Sequence, residues 1–493
     1  MKLNLQRLEQ IEEEMRRGNS LVVREFLQSV SRNEIPDSLI LRVCQLARRI
    51  DYANKGLLLL RERVLDLPSS QEPDARELCE YAACLIKVGA NAEALRLLQR
   101  VNTQKAPEAL KFMGFACIHQ WDYPSAILHL TKYIESLDAS SYEHLIGSLN
   151  LAASLVTTEQ LDQAHTVLVS IRERAQQGGH TLVLGNTYEL LAQIEIQRGN
   201  YDDALNLLSL ASSQLTTAPA RYQLYIEKWH AVIALLRREE NASAALKKVR
   251  QKAVESHEWE VIRDCDFYES IESKNSEMFL HLYFGTPHPQ FRARMLRKAN
   301  GAFLLPDKFS VGSSNRIFDI SSGKVGSELV IKKGQALHKI ATALLMDFYS
   351  PASVAQLFAK VFESEQFHPE SSPHRVQELV RRLRDKLAAA NVPLEIISVE
   401  RGYKLSLDNL REVAVQVTAD RNIGLDLLNV IKSTFGDSQF SLRELTDVAG
   451  IPHTTLYRQI KDCVEAGTIA SFGSAKNTRY QLATSILKKV VSK

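Results

Sequence analysis

The sequence predicts a mainly α chain: an α-solenoid of stacked helix pairs, followed by two smaller α+β modules in which helices are closed by a hairpin. Three observations carry this expectation. Small residues recur in pairs twelve positions apart between Ala82 and Ala204. The helical periodicity then breaks near Phe284, where Gly285, Pro287, Pro289, Gly301 and Pro306 punctuate the chain. Finally, two later segments each run helix, turn, helix and then a pair of short alternating stretches.

Bulk properties set the frame. A chain of 493 residues is too long for one compact core and suggests about two to four domains. With 45% hydrophobic and 24% charged residues, it is globular rather than disordered in composition. Charge is divided unevenly: Lys and Arg minus Asp and Glu is about −6 over 1–285 and about +9 over 286–493, which together make the net +3. A basic C-terminal portion suits a polyanionic partner, although clustering on solvated faces gives the same tally. Six cysteines without a CxxC pattern are read as buried, reduced thiols, and no metal site or cofactor is expected. The opening MKLNLQRLEQIEEEMRRGN has no uninterrupted apolar stretch, so neither a signal peptide nor a membrane anchor is expected. The expected location is the cytoplasm, without membrane association.

The first half is read as a stack of helix pairs. Ala82 pairs with Ala94, Gly114 with Ala126, Ala152 with Ala164, and Ala192 with Ala204. Each pair sits in an apolar helix, a short polar turn and a second helix, most clearly in LKFMGFACIHQWDYPSAILHLTKYIE (110–135). Two helices joined by a short turn approach closely only where neither carries a bulky side chain. This pattern resembles the tetratricopeptide repeat (TPR) over roughly 75–255. In a fifth copy, IEKWHAVIALLRREENASAALKKVR, Ile233 occupies the first small position. The spacing between later copies exceeds the usual repeat of about 34 residues. The resemblance implies a concave surface for a protein or peptide partner, for a second copy of the chain, or none if the array is a spacer. Residues 1–74 are expected to be a helical cap or degenerate repeat, with the TPR-like array over 75–284. His119, His129 and His144 lie singly on helices and are taken as surface or packing residues.

Residues 285–299 are read as a basic linker helix carrying Arg292, Arg294, Arg297 and Lys298; tracking a phosphate backbone is the alternative. Strand-like stretches follow at 315–321 and 328–333. Helices are then expected over 335–348, 353–362 and from about Pro373 to 389, with a strand-turn-strand over 394–407. In the third helix Val376, Val380, Leu383 and Leu387 make one apolar stripe. The other face carries His374, Arg375, Glu378, Arg381, Arg382 and Arg384. Such a helix suits a DNA major groove, where forked guanidinium groups pair with guanine edges or phosphate oxygens. In the hairpin, Arg401-Gly402-Tyr403 places a cation at a tight turn, with Lys404 next to it.

Three helices and a closing hairpin are the winged-helix order. HRVQELVRRLRDKL…IISVERGYKL resembles the effector domain of OmpR/PhoB-type response regulators over about 300–407. That resemblance implies a bacterial regulator, a recognition helix from 373 to about 389, a wing at Arg401 to Lys404, and a small sheet before the first helix. It departs from that family in one respect: the repeat array stands where a phosphorylatable receiver domain would be.

Residues 408–493 repeat the theme. A helix near 422–435 precedes SLRELTDVAG, where Ser441 and Glu444 form a capping box. HTTLYRQIKDCVEAG (453–467) is read as a second recognition helix, with Leu456, Ile460, Cys463 and Val464 inward. Thr454, Thr455, Tyr457, Arg458 and Lys461 face outward, and Lys476 and Arg479 lie in or near the following hairpin. The order resembles the winged helices of IclR- or MarR-like regulators. The fold expected is therefore a TPR-like α-solenoid followed by two winged-helix (α+β) domains. The function expected is sequence-specific binding of double-stranded DNA in transcriptional regulation. A TPR adaptor using its winged helices for protein assembly is the alternative. No nucleophile motif, phosphate-cradling loop or metal-ligand spacing points to an enzyme.

Overall fold

The computed structural model describes residues 3–17, 19–68, 70–400, 402–407, 410–418, 431, 434–436, 438–449, 456–457, 460–461, 463–464, 469–473 and 478–482. It is mostly helical, with a few small sheets. It divides into two units, each discontinuous in sequence: Met1–Thr286 with Lys308–Val417, and Pro287–Asp307 with Thr418–Lys493.

The first unit begins with sixteen helices among the described residues. They are α1 (Leu5–Arg16), α2 (Ser20–Ser29), α3 (Asp37–Arg49), α4 (Ala53–Val64), α5 (Ala75–Val88), α6 (Asn91–Leu98), α7 (Glu108–His119) and α8 (Tyr123–Glu135). They continue as α9 (Tyr142–Thr157), α10 (Leu161–Gln177), α11 (Thr181–Arg198), α12 (Tyr201–Gln214), α13 (Ala220–Leu236), α14 (Ala242–Glu255), α15 (Trp259–Glu272) and α16 (Ser276–Phe284). Each helix packs on the next, and most odd-numbered helices also touch the following odd-numbered one. That ladder of neighbours is how helix pairs that cannot bury their apolar faces alone form a continuous core.

The small-residue pairs sit at the helix crossings. Ala82, Ala94, Ala126, Ala152, Ala164, Ala192 and Ala204 are all fully buried. A Cβ on Gly114 would lie 2.9 Å from the Leu130 side chain, so any side chain there would push Leu130 aside at the α7–α8 crossing. In the fifth pair, α13 with α14, Ile233 and Leu246 are buried instead, and Ala245, twelve positions after Ile233, is exposed. The twelve-residue spacing slips by one where Asn241 caps α14 in the left-handed region, with φ of 66°.

The array also buries charge. Lys228 Nζ lies 2.6 Å from Asp264 Oδ2 and 3.9 Å from the Trp229 ring centroid. Trp229 Nε1 donates to Glu189 Oε1 at 2.5 Å, and Gln193 Nε2 donates to the same oxygen at 2.8 Å. Burial pushes the Glu189 carboxyl above the usual range. Burial also opposes the charge on Lys228, but Asp264 outweighs it and holds the ammonium above its ordinary value.

The same unit resumes at Lys308 with β1 (Lys308–Val311), β2 (Ile317–Asp319), β3 (Lys324–Val325) and β4 (Glu328–Leu329). Then come α18 (Ala336–Leu344), β5 (Ala352–Ser353), α19 (Val354–Val361), α20 (Ser371–Ala389), β6 (Ile396–Val399), β7 (Gly402–Leu405) and β8 (Ala414–Thr418). The three helices pack against one another. α19 opens with a capping box in which Gln356 N donates to Ser353 Oγ and Ser353 N to Gln356 Oε1. α20 begins two residues before Pro373, which falls in its first turn, where a missing N–H costs nothing. β7 pairs antiparallel with both β5 and β6, giving the order β5-β7-β6.

A second sheet has the order β1-β8-β2-β3-β4. β8 runs parallel to β2, with Ile317 opposite Ala414 and Asp319 opposite Gln416. β8 lies beyond residue 407, where the hairpin reading from sequence ends the module.

In the second unit, α17 (Pro289–Ala299) coincides with the basic segment at 285–299. It is not solvated all round: Phe291, Arg292, Ala293, Met295 and Ala299 are buried, while Arg297 and Lys298 are exposed. The rest holds α21 (Leu442–Ala449) and the antiparallel pair β9 (Ile469–Phe472) and β10 (Arg479–Leu482). Phe440 bridges Tyr480 through two backbone hydrogen bonds. Ile431, Phe440, Leu445, Leu456, Ile460, Ile469, Tyr480 and Leu482 form its core.

Candidate functional site

The basic helix is built as its period requires. Val376, Leu379, Val380, Leu383 and Leu387 are buried, and His374, Arg375, Glu378, Arg381, Arg382, Arg384, Asp385 and Lys386 are exposed. The exposed cations are not equivalent. Arg375 lies 3.7 Å from the Phe362 ring centroid and pairs with Glu365, so it folds back onto the helix core. Its guanidinium hydrogen bond holds the Glu365 carboxyl below the usual range. Arg384 Nη2 donates to the Ile396 carbonyl at 2.6 Å and to Ser398 Oγ at 3.1 Å, which ties α20 to β6. Arg381 is held by Glu378 at 2.7 Å and Asp385 at 3.3 Å. These are exposed pairs of a kind that other anions displace at little cost. The side chains of Arg382 and His374 make no hydrogen bond among the described residues.

In the hairpin, Gly402 is buried beneath the Ala352 carbonyl, where a Cβ would sit 2.1 Å from the oxygen. Lys404 places its ammonium 5.8 Å from the centroid of Trp259 on α15. Arg401 lies outside the described residues. In the second unit Tyr457 and Lys461 are exposed, and Arg479 Nη1 pairs with Glu444 Oε2 at 2.8 Å. The capping box is formed: Ser441 N donates to Glu444 Oε2 at 2.6 Å and Glu444 N to Ser441 Oγ at 3.2 Å. Those bonds, the backbone one first, lower the Glu444 carboxyl. Thr454, Thr455, Arg458 and Lys476 lie outside the described residues.

Several residues that sequence reasoning passed over join the helix array to the 308–417 portion. Ser353 Oγ donates to the Val88 carbonyl at 2.9 Å, 265 positions away. Gly89, at φ 92°, approaches so closely that a Cβ would stand 2.5 Å from Ser353 Oγ. The Phe367 amide donates to the buried Glu93 carboxylate at 3.0 Å. On the other side Arg263 Nη2 meets Asp347 Oδ2 at 2.5 Å, and Tyr349 OH donates to Asp266 Oδ2 at 2.9 Å. In sequence, Glu93 and Arg263 look like ordinary solvated helix charges, and nothing local marks them as contacts. Between the two portions runs a cleft of about 380 Å³. One wall is Asp51–Asn54, Lys87 and Val88; the other includes Ser353–Ala355, Pro373, Ser398 and Glu400.

Partial burial lowers His129 and His144 below the ordinary imidazole value, His119 stands exposed on α7, and Arg174 Nη1 donates to His144 Nδ1 at 3.1 Å. Cys79, Cys117 and Cys265 are pushed up to about 12 by burial, which disfavours the reactive thiolate. Among the described residues, no group of three or more His, Cys, Asp or Glu side chains is placed to hold a metal ion. Nor is any helix there long and apolar enough to cross a membrane. No protein-family model and no curated protein matches this chain.

Proposed function

We propose that the chain is a sequence-specific DNA-binding transcriptional regulator of the cytoplasm, with a TPR-like array joined to two winged helices. One observation carries this reading above the others. α20 buries one apolar stripe and turns His374, Arg381, Arg382 and Lys386 to solvent beside the β6–β7 hairpin. A helix of that build enters a major groove while the hairpin lies along the flanking backbone. In the second unit, Tyr457 and Lys461 are exposed while Leu456 and Ile460 are buried, which supports a second contact to the same duplex. The array then serves as the surface for a protein or peptide partner, or for a second copy of the chain.

An adaptor that uses these modules for protein assembly is the second reading. It is favoured by the acidic residues interleaved on the same face, Glu378 and Asp385, which already pair with Arg381. Selection of the full chain against a pool of random duplex DNA, with sequencing of the retained molecules, separates the two. An enriched motif whose recovery falls on Arg382→Ala supports the regulator. Retention of no duplex at low salt supports the adaptor, because phosphate contacts alone hold any DNA there.

A further inference from the structure

We infer that the helix array holds the 308–417 portion in a DNA-excluding state, and that DNA binding requires the contacts made by Glu93 and Arg263 to open. The inference rests on the DNA-binding reading above. If α20 enters a major groove, the start of the preceding helix crosses the phosphate backbone and the hairpin reaches the neighbouring minor groove. The duplex must then pass over the start of α19, the start of α20 and the β6–β7 turn. Residues from all three, Val354, Pro373 and Glu400 among them, line the cleft described above. Its opposite wall belongs to the array, at the α3–α4 turn and the end of α5. A space of about 380 Å³ holds a small molecule; a duplex whose major groove alone is about 12 Å wide does not fit.

The contacts that keep the cleft closed are specific. The α19 N-terminus, closed by its own capping box, packs against Val88 and Gly89. Lys404 of the hairpin, a cation suited to a phosphate, lies over Trp259. Glu93 fixes the loop that leads into α20 through the Phe367 amide, and Arg263 fixes the α18–β5 connection through Asp347. The exposed face of α20 stays in view of solvent, so the array restricts the approach of a duplex without covering the cations themselves.

The test uses the full chain, random-sequence duplex DNA, and hydrogen exchange at the Phe367 amide, which reports opening independently in the Arg263 variants because Glu93→Ala removes that amide's own acceptor. Two array-side variants, Glu93→Ala and Arg263→Asp, are measured with the charge-swapped pair Arg263→Asp/Asp347→Arg as a control for folding. Faster exchange at Phe367 with at least ten-fold tighter DNA binding, reversed in the charge-swapped pair, is the expected result. Faster exchange with unchanged DNA affinity overturns the inference and leaves the DNA-binding reading standing. Unchanged exchange in Arg263→Asp also overturns it, since that contact would then not hold the cleft shut. Faster exchange with no DNA binding by any variant removes the DNA-binding reading, and this inference with it.

Discussion

The helix array carries buried ion pairs as well as exposed ones; along α20 the pairs stand in solvent. Lys228 with Asp264 and Arg263 with Asp347 have side chains that are 3% to 18% exposed, whereas Arg381, Glu378 and Asp385 are 53% to 65% exposed. A buried pair loses its hydration once, on folding, and then defines which helix faces which. An exposed pair gives up little when a phosphate replaces the carboxylate. The same residue types thus fix helix packing in one region and lie open to solvent in the other.

The sharpest way to break that contrast is Lys228→Ala. It leaves Asp264 and Glu189 buried without their cation and should destabilise the array by about 3–5 kcal/mol, seen as a lower urea midpoint followed by tryptophan fluorescence. Lys228→Met with Asp264→Leu should recover most of the loss. A single variant as stable as the parent would show that the pair does not organise α13 against α15.

Next in size is Ala192→Leu. This fully buried position has no room for three more carbons, so about 1–3 kcal/mol should be lost in the same measurement. Arg382→Ala belongs to the opposite region and should leave the midpoint within about 0.5 kcal/mol. Its effect should fall on duplex affinity instead, about ten-fold, with a shallower salt slope if the contact is to phosphate. A loss of stability larger than the loss of binding free energy would erase the distinction between the two regions.

The smallest effect is one of pH. Burial lowers the half-buried His129 imidazole below its ordinary 6.5, so the unfolded chain takes up that proton first as the solution is acidified. Its stability contribution is complete above 6.5 and is lost as pH falls from there through the lowered folded value. His129→Gln should therefore flatten the fall in urea midpoint between neutral and mildly acidic pH. An unchanged slope would assign the acid sensitivity elsewhere.

The repeats were legible in sequence because a close helix crossing demands small residues at a fixed spacing, and Ala82, Gly114 and Ala192 supply them. The stripe of α20 was legible for a similar reason: Val376, Val380, Leu383 and Leu387 repeat with the helical period. What the arginines of that helix do was not. Arg375 and Arg384 sit on the polar face beside Arg382, yet one lies on an aromatic ring and the other binds the β6 backbone. Their fate is decided by Phe362 and Ile396, partners outside the helix. The grouping of 308–417 with the array was illegible too, because Glu93 and Arg263 find Phe367 and Asp347 across 274 and 84 positions. The slip in the fifth pair follows from the backbone at Asn241, which no small-residue count registers.

The placement of β8 between β1 and β2 has a consequence for how the chain is made. The Ser314 hydroxyl bonds the Glu412 carbonyl 98 residues later, so the strand that joins these two edges leaves the ribosome long after they do. Through the synthesis of α18, α19, α20 and the hairpin, β1 and β2 have no partner between them. Such distant pairing is slow to form, and open strand edges are where nascent chains adhere to one another. Variants that weaken β8 should therefore first lower the yield of soluble protein, before any defect in the finished fold can be measured.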